Sequence, residues 1–320
     1  MKKILIELPT WLGDAVMTTP AVENLVDIYP DSEITVFGSF VSTELYRAHP
    51  GVKRVVVDSS RKSLFRPLAL RRLAREVGAH DLAISFRSHI LSRLFLHWSG
   101  SEIGAVYSKS GEDGIHQAVR YADFVSRVTG VDMEAGELRL HWPALPLERP
   151  SIGINPGATY GSAKRWYPDR FAEVASEFAG DYDIYIFGGP GEVEMASDIV
   201  KILSSLGVEE RVFDLSGKTT IEELCGYIAS LDLFITGDSG PMHIAAAYSI
   251  PTVALFGPTK HDETSQWRNR YSRIVRYDLD CSPCMKRECP IRTHECMKLI
   301  ESSEVVEIAK TLLDSGAKSL

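Results

Sequence analysis

The chain alternates short, β-branched apolar runs with stretches of helical periodicity along almost its whole length. The runs of the first half are ILIEL, EITVFG, RVVVD, DLAISF and EIGAVY, and those of the second half are SIGINP, DIYIFGG, RVFDLSG, DLFITGD and TVALFGP. Val22, Leu25 and Tyr29 lie between two runs at the spacing of one helical face, and Thr220 with Glu223 has the pattern of a capping box. This alternation predicts βαβ units, and therefore parallel sheets that helices cover on both faces.

The alternation is interrupted once, by a proline-rich segment at residues 143–150. Three prolines among eight residues fit neither a helix interior nor a central strand, so we expect a linker here. The sequence therefore predicts an α/β protein with two doubly wound, Rossmann-like domains, residues 1–146 and 151–320. The last helical stretch, residues 303–314, can pack on either domain. Open α/β sheets bind ligands beyond the carboxyl ends of their strands, so a cleft that the two domains face is the expected ligand site.

Charge and hydropathy exclude several classes of protein. The formal net charge is -8, which does not favour a general nucleic-acid binder. No apolar run approaches the ~18 residues that span a bilayer. Lys2 and Lys3 resemble the start of a signal peptide, but the apolar run after them stops at Glu7 and no small-residue cleavage site follows. We therefore expect a cytoplasmic protein.

The stretch FITGDSGPMHIAAA predicts an anion site. A strand runs into a Gly-Asp-Ser-Gly loop, and Pro241 then stands where a helix begins, a position that suits proline. Backbone N–H groups and the positive end of a helix dipole bind phosphate. The alternative is an ordinary strand–turn–helix connection with glycines at the bends. No GxGxxG motif opens either domain, which argues against a standard NAD site.

Three further strand-ending loops carry small or polar residues. NPGATYGSAKRW ends in Lys164, which could place its ammonium against a diphosphate or simply be solvated. This loop does not fit the P-loop pattern. In FGGPGE, Gly188 and Gly189 permit close approach of the backbone to a ligand, or make a turn. LFGPT ends another strand, and the four loops together predict one nucleotide-sized site.

A basic block in the first half has no acidic residue within it. Its members are Arg61, Lys62, Arg66, Arg71, Arg72 and Arg75, and Arg87, His89 and Arg93 follow. In a chain of net charge -8 such a block favours an anionic acceptor or an anionic membrane surface. The alternative is a solvated basic helix paired with acidic residues from elsewhere.

Four of the five cysteines form the pattern C-x2-C-x4-C-x6-C, at Cys281, Cys284, Cys289 and Cys296. In a reducing compartment this clustering argues against disulfides. Tetrahedral zinc accepts four thiolates, but the spacing is not that of a standard finger, and His294 confuses the ligand count. A structural loop with reduced thiols is favoured, and zinc is the alternative.

The stretch TWLGD places Asp14 behind a glycine in the first loop. One interpretation is a helix cap, and the other is a catalytic base. A cap could equally have been Ser or Thr, whereas a base that takes a proton from a hydroxyl at neutral pH requires a group such as a carboxylate.

Four stretches, in the same order and spacing, carry a resemblance to a known family: TWLGDAVMTTPA, PGATYGSAKRW, TGDSGPMHIAAA followed by PTVALFGPT, and CSPCMKREC. Along essentially its whole length the chain resembles the ADP-heptose:lipopolysaccharide heptosyltransferases of glycosyltransferase family 9, most of all those that add the second heptose. The resemblance implies a GT-B fold with an N-terminal acceptor domain and a C-terminal ADP-heptose domain. It also implies inverting transfer of L-glycero-D-manno-heptose to the heptosyl-Kdo-lipid A inner core, without a metal cofactor, at the cytoplasmic face of the inner membrane.

The same resemblance implies roles for particular residues. Asp14 would be the general base, and Lys164 and Thr159 would contact the donor diphosphate. The remaining donor site would consist of Gly188, Gly189, Asp238, Ser239, Gly240, Pro241, Met242 and His243. The acceptor's phosphates and carboxylates would meet Arg61, Lys62, Arg66 and Arg87. The alternatives are heptosyltransferase I or III, a sugar-nucleotide epimerase of the same fold, or a sugar-nucleotide sensor without chemistry.

Overall fold

The computed structural model describes residues 1–109, 112–158 and 160–315. Contacts between residues divide the chain into two compact units, Met1–Trp142 and Pro143–Leu320. The boundary lies at the first proline of the proline-rich segment. Each unit contains one parallel sheet, so the prediction of two doubly wound sheets is confirmed.

The first unit is built on a five-stranded parallel sheet with the order β3-β2-β1-β4-β5. Its strands are β1 (Lys3–Glu7), β2 (Glu33–Gly38), β3 (Val52–Val57), β4 (Leu82–Ser85) and β5 (Ile103–Val106). Its helices are α1 (Leu12–Met17), α2 (Thr19–Ile28), α3 (Phe40–Glu44), α4 (Arg66–Val77), α5 (Ile90–Ser99) and α6 (Gln117–Thr129). Consecutive residues Ile4, Leu5 and Ile6 of β1 are all fully buried, because a parallel sheet covered by helices buries both faces of a central strand.

The second unit is built on a six-stranded parallel sheet with the order β11-β10-β9-β6-β7-β8. Its strands are β6 (Ser151–Asn155), β7 (Asp183–Ile186), β8 (Val212–Asp214), β9 (Leu233–Gly237), β10 (Thr252–Leu255) and β11 (Ser272–Val275). Strand β11 was not predicted from the sequence. This edge strand reads SRIV, with Arg273 exposed and only Val275 buried, so it lacks the apolar run of a central strand.

Seven helices of the described residues cover this second sheet. They are α7 (Pro168–Phe178), α8 (Val193–Ser205), α9 (Ile221–Ser230), α10 (Gly240–Ala247), α11 (His261–Thr264), α12 (Glu295–Lys298) and α13 (Ser302–Asp314). The predicted capping box opens α9: Glu223 N donates to Thr220 Oγ1, and Thr220 N donates to Glu223 Oε2.

Helix α13 packs on the second unit, against α7 and strands β9 to β11. Its buried residues Val305, Ala309 and Leu312 belong to the same hydrophobic core as Phe171 and Val174 of α7. Of the two packing options that the sequence left open, the structure shows the one within the second unit. No helix among the described residues is both long and apolar enough to span a membrane.

Candidate functional site

Lys164, Asp238 and Thr259 meet beyond the carboxyl ends of three strands of the second sheet. Lys164 Nζ lies 2.5 Å from Asp238 Oδ2, and Thr259 Oγ1 donates to the same oxygen over 2.6 Å. The side chains of Lys164 and Asp238 are only 12% and 7% exposed. An ammonium has three N–H donors, so Lys164 can hold Asp238 and still donate to a bound anion. The structure thus brings together three of the four predicted loops.

A second polar group adjoins this cluster at the end of β6 and β9. Asn155 Nδ2 donates to Ser239 Oγ over 3.2 Å and to the Gly157 carbonyl over 3.3 Å, and Ser239 Oγ lies 3.0 Å from Thr236 Oγ1. Asn155 is buried, and its Oδ1 has no hydrogen-bond partner among the described residues. Asn155 was not predicted as a site residue, although it is the last residue of the buried strand β6.

Helix α10 begins at Gly240, and Pro241 occupies its first turn, as predicted from the sequence. Ser239 is extended at the N-cap. Met242 is fully buried and packs with Ala254 and Phe256 in a small apolar cluster. His243 is also buried. The front of this helix therefore offers backbone N–H groups at the surface, while its next residues anchor the loop in the core.

The FGGPGE loop contacts the loop after β6 through Glu192. Glu192 Oε2 accepts a hydrogen bond from Gly189 N over 2.7 Å. A Cβ atom added to Gly157 would lie 2.1 Å from Glu192 Cδ, so a larger residue at this position would force the Glu192 carboxylate to move. Gly188 and Gly189 therefore lie beside the loop after β6. This loop leads to the cluster of Lys164, Asp238 and Thr259, called the strand-end cluster below. Glu192 is a polar group here that was not predicted from the sequence.

The segment that carries the four clustered cysteines, residues 281–296, packs against the loop that carries Lys164. Tyr160 OH donates to the Met285 carbonyl over 2.8 Å, and Ala163 N donates to the Arg287 carbonyl over 3.0 Å. The Lys164 ammonium lies 4.7 Å above the Tyr160 ring, and the Arg287 guanidinium lies 5.5 Å from it. Two cations thus share one aromatic ring at the edge of the cluster.

Gly161 and His294 also join the Lys164 loop to the segment that carries the cysteines. A Cβ atom on Gly161 would lie 2.2 Å from the Arg287 carbonyl oxygen, so the two backbones touch. His294 bridges Ala163 O through Nε2 and Tyr167 OH through Nδ1, at 2.9 and 2.8 Å. His294 is therefore engaged in hydrogen bonds between two segments of the unit.

Cys281, Cys284, Cys289 and Cys296 line one small cavity of about 20 Å³, and all four are free thiols. Hydrogen bonds from backbone N–H groups, foremost that of His294, lower the pKa of Cys289. Burial, with the neighbouring thiols, raises the pKa of Cys296 to about 11. No three of these sulfur atoms lie within 4.8 Å of one another in the described structure, a wider spacing than that of ligands on a single tetrahedral ion.

Thr159, predicted from the resemblance to contact the diphosphate, lies outside the described residues.

Asp14 is the third residue of α1, and Trp11 occupies the N-cap. Asp14 therefore does not occupy the N-cap position, and a carboxylate in the first turn interacts favourably with the helix dipole. Asp14 is half-buried. Burial and then the negative charge of Asp14 raise the pKa of the buried Tyr121 hydroxyl on α6. Tyr121 is thus a neighbour of Asp14 that the sequence did not reveal.

Three of the four predicted acceptor residues surround one buried carboxylate in the first unit. Arg61 Nε, Arg66 Nη2 and Arg87 Nη1 lie 3.8, 3.7 and 3.8 Å from Asp58 Oδ2. The Asp58 side chain is fully buried, whereas those of Arg61 and Arg66 are 42% and 37% exposed. The basic block is therefore organised by an acidic residue just outside it, and Arg61 and Arg66 still present N–H groups to solvent.

Arg87 is held more deeply than the other arginines. Its Nη1 lies 3.1 Å from Glu7 Oε1, and its Nε donates to the Leu8 carbonyl over 2.7 Å. Burial lowers the pKa of the Arg87 guanidinium, and the Glu7 and Asp58 carboxylates oppose that effect. Lys62 is exposed and makes no salt bridge with the described residues.

Glu23, His49 and His141 form a separate cluster in the first unit. Glu23 Oε1 lies 3.3 Å from His49 Nε2 and 3.0 Å from His141 Nε2. His49 Nδ1 accepts a hydrogen bond from Gly51 N, so the proton of a neutral His49 ring is on Nε2 and points to Glu23. A metal on Nε2 would require that proton on Nδ1, facing the Gly51 donor. The cluster is therefore an acid–imidazole triad, in which His141 is hydrogen-bonded to Glu23 and His49 lies beside the same oxygen.

The chain is similar to known proteins over most of its length. Residues 116–294 match the family described as glycosyltransferase family 9 (heptosyltransferase). The chain is 40% identical over 323 residues to the lipooligosaccharide heptosyltransferase 2 of Campylobacter jejuni subsp. jejuni, with 98% of this chain and 99% of that protein covered.

Two solved structures share the fold. The E. coli ADP-heptose LPS heptosyltransferase II is 24% identical with a TM-score of 0.77, covering 98% of this chain and 99% of its own. The E. coli heptosyltransferase WaaC with ADP is 15% identical with a TM-score of 0.78, covering 97% and 99%.

Proposed function

The chain belongs to glycosyltransferase family 9, the heptosyltransferases, and we propose that it moves L-glycero-D-manno-heptose from ADP-heptose to the heptosyl-Kdo-lipid A inner core. The observation that carries this proposal is the 40% identity to a heptosyltransferase 2 over 98% of the chain. The protein is a glycosyltransferase enzyme, and the resemblance seen in its motifs is confirmed at the level of the family.

Asp14 is the proposed general base of this reaction. A sugar hydroxyl is a weak nucleophile until its proton is being removed, and a carboxylate within hydrogen-bond reach can accept that proton. The attack is a single displacement at the anomeric carbon, with ADP as the leaving group and inversion of configuration. One catalytic carboxylate suffices, because no covalent glycosyl-enzyme is formed. Half-burial of Asp14 in the first turn of α1 supports this role.

The strand-end cluster of the second unit is the proposed donor site. Negative charge grows on the diphosphate as the glycosidic bond breaks, and fixed donors aimed at it lower the barrier. Lys164 supplies an ammonium, and Ser239 to Pro241 supply the start of α10. We propose that Asp238 and Thr259 hold the Lys164 ammonium in place for the diphosphate, and that Thr159, Gly188, Gly189, Met242 and His243 complete the site as the resemblance implies.

Arg61, Lys62, Arg66 and Arg87 are the proposed contacts of the acceptor's phosphates and carboxylates. The partly exposed guanidinium groups of Arg61 and Arg66 suit bidentate binding of such anions. Arg87, which is 11% exposed and bound to Glu7, also holds the arginine group together through Asp58. An acceptor of this kind lies in a membrane, so we propose that the enzyme works at the cytoplasmic face of the inner membrane as a peripheral protein.

The proposed reaction needs no metal cofactor. Lys164 and backbone N–H groups supply the positive charge that a metal would otherwise bring to the diphosphate. The four cysteines are proposed to support, as reduced thiols, the segment that packs beside Lys164.

The decisive experiment is transfer from ADP-heptose to a series of purified acceptors. Turnover of heptosyl-Kdo2-lipid A, with no turnover of the acceptor that ends in Kdo, would support the proposal. Turnover of only the Kdo-terminated acceptor would indicate heptosyltransferase I, and turnover only of a longer core would indicate heptosyltransferase III. Conversion of ADP-heptose without any acceptor would indicate an epimerase. Binding of ADP-heptose without turnover of either substrate would indicate a sensor.

A further inference from the structure

Exposed apolar side chains cluster between β3 and the first turn of α4. Leu64 is fully exposed, and Phe65 and Leu68 are 64% and 62% exposed. These three residues lie within five consecutive positions at the edge-strand end of the first sheet. Isolated exposed apolar residues are common, but neighbouring ones of this size indicate a surface that contacts another apolar phase.

The faces of α4 show why Leu68 points outward. Leu70, Ala74 and Val77, at i, i+4 and i+7, are buried against the unit. Leu68, Arg72 and Arg75 each lie two positions before one of these buried residues. Two positions turn a helix by about 200°, so these three residues lie on the opposite, outer face of α4. Arg71 is also exposed, so the outer face of α4 continues the apolar cluster as a row of arginines.

These arginines differ from the rest of the basic block in their partners. Arg61 and Arg66 approach Asp58, whereas Arg71, Arg72 and Arg75 make no salt bridge with any described residue. The protein as a whole has a net charge of -8. A row of arginines without salt bridges, beside an apolar cluster, is therefore complementary to a surface whose anionic groups lie over an apolar layer.

We propose that this surface, the docking surface of Leu64, Phe65, Leu68, Arg71, Arg72 and Arg75, binds the enzyme to an anionic phospholipid bilayer. Leu64, Phe65 and Leu68 enter the interface, and the three arginines lie at the level of the headgroup phosphates. The inference rests on the proposed function in one respect, that the acceptor is a membrane lipid, and it adds the element that brings the enzyme to it.

A second copy of the chain suits this surface less well. A twofold contact would bring the arginine rows of both copies together, with Glu76 as the one acidic residue of α4 to set against Arg71, Arg72 and Arg75. A bilayer requires no matching shape, and it supplies phosphate and hydrocarbon at once.

The test is co-sedimentation of the full chain with vesicles that contain neither acceptor nor donor. Phosphatidylethanolamine vesicles with phosphatidylglycerol are compared with purely phosphatidylcholine vesicles over a range of salt. We expect binding to the anionic vesicles that weakens with salt. We expect Leu64→Gln/Leu68→Gln to weaken it about tenfold or more, and Arg71→Gln/Arg72→Gln/Arg75→Gln roughly 100-fold at low salt.

Matched controls change the second unit. Leu206→Gln removes an exposed leucine (55% exposed), and Lys201→Gln/Lys218→Gln/Lys310→Gln changes net charge as the triple arginine variant does. Both controls are expected to bind vesicles as the wild type does. A wild type that does not bind anionic vesicles, or a Leu64→Gln/Leu68→Gln variant that binds normally, overturns the proposal. A dimer that only the wild type forms would assign the surface to a second copy instead.

Transfer assays separate docking from the acceptor site itself. With a deacylated, water-soluble acceptor, the Leu64→Gln/Leu68→Gln variant is expected to keep the wild-type rate, and with acceptor in vesicles it is expected to slow about tenfold or more. Equal loss with both acceptors would place these leucines in the acceptor site and overturn the docking role. Because vesicle binding involves no heptose transfer, failure of the proposed reaction would leave that arm interpretable.

Discussion

The two units share one architecture, but different kinds of side chain lie at the carboxyl ends of their strands. In the second unit, small and hydroxyl residues surround the Lys164–Asp238 pair, and glycines such as Gly157 and Gly161 let backbones and side chains touch. In the first unit, three arginines gather round the buried Asp58. The doubly wound fold therefore fixes where a site forms, and the loop residues decide which ligand it suits.

The difference follows from what each proposed ligand requires. A diphosphate is compact and gains charge during the reaction, so a few fixed donors in a closely packed loop suit it. A lipid-borne acceptor with several separated anionic groups is wider, and long guanidinium side chains can reach such groups. A buried aspartate that orders several arginines pre-arranges them at little entropic cost during binding.

The largest expected effect separates chemistry in the first unit from binding in the second. Asp14→Asn should reduce transfer by about 10²–10⁴, because the amide cannot accept the proton. Affinity for ADP-heptose, measured by calorimetry, should change little. Asp27→Asn, an exposed carboxylate on α2, is the control and should keep full activity. Near-wild-type transfer by Asp14→Asn would remove this residue from the mechanism.

The next effect should appear in binding alone. Lys164→Ala should weaken ADP affinity about 10–100-fold, because a charged hydrogen bond to phosphate contributes about 1.5–3 kcal/mol. Thr259→Val keeps the ammonium and removes one hydrogen bond to Asp238, so it should weaken ADP less. Thermal unfolding of each variant, recorded in parallel, shows whether an unpaired Asp238 has destabilised the unit. Unchanged ADP affinity with an intact fold would place Lys164 outside the donor site.

A smaller effect concerns the stability of the first unit. Burial raises the pKa of Glu23, but hydrogen bonds from His49 and His141 outweigh it and bring the pKa to about 2. A lowered carboxyl pKa stabilises the fold above the unfolded value of about 4.5, and this stabilisation is lost as the pH falls through the folded value of about 2. Glu23→Gln should lack this component, about 2 kcal/mol of unfolding free energy at neutral pH.

Urea unfolding of the wild type and Glu23→Gln between neutral pH and pH 2 measures this component. Glu102→Gln, at an exposed site, is the control and should keep the wild-type pH dependence. If the unfolding free energies of the wild type and Glu23→Gln change with pH in parallel, the triad does not stabilise the unit.

The smallest expected effect is a difference in thiol reactivity within the second unit. The lowered pKa of Cys289 should make it the fastest of the five cysteines to react with iodoacetamide at neutral pH. Burial raises the pKa of Cys225 to about 12, so Cys225 should react last. Peptide mapping over time measures the order. Protection of all four clustered cysteines that a chelator removes would instead reveal a bound metal.

Several features of the fold were readable from local sequence. Consecutive apolar residues predicted β1, and Thr220 with Glu223 predicted the start of α9, because both patterns depend on neighbours in the chain. Strand β11 was missed because its SRIV sequence pairs with β10 on one side only and needs no apolar run. Its existence depends on a partner strand rather than on its own residues.

The sequence by itself determined the alternating α/β architecture, the proline-rich boundary, and the segments after strands that carry Asp14, Lys164 and Asp238. These follow from periodicity and from residue types at strand ends, which act over a few positions. Only the tertiary structure decided which polar groups meet: Asp58 with the arginines, Asn155 with Ser239, and Asp14 near Tyr121. Such contacts join residues distant in sequence, and parallel strands bring them together only when the whole sheet has formed.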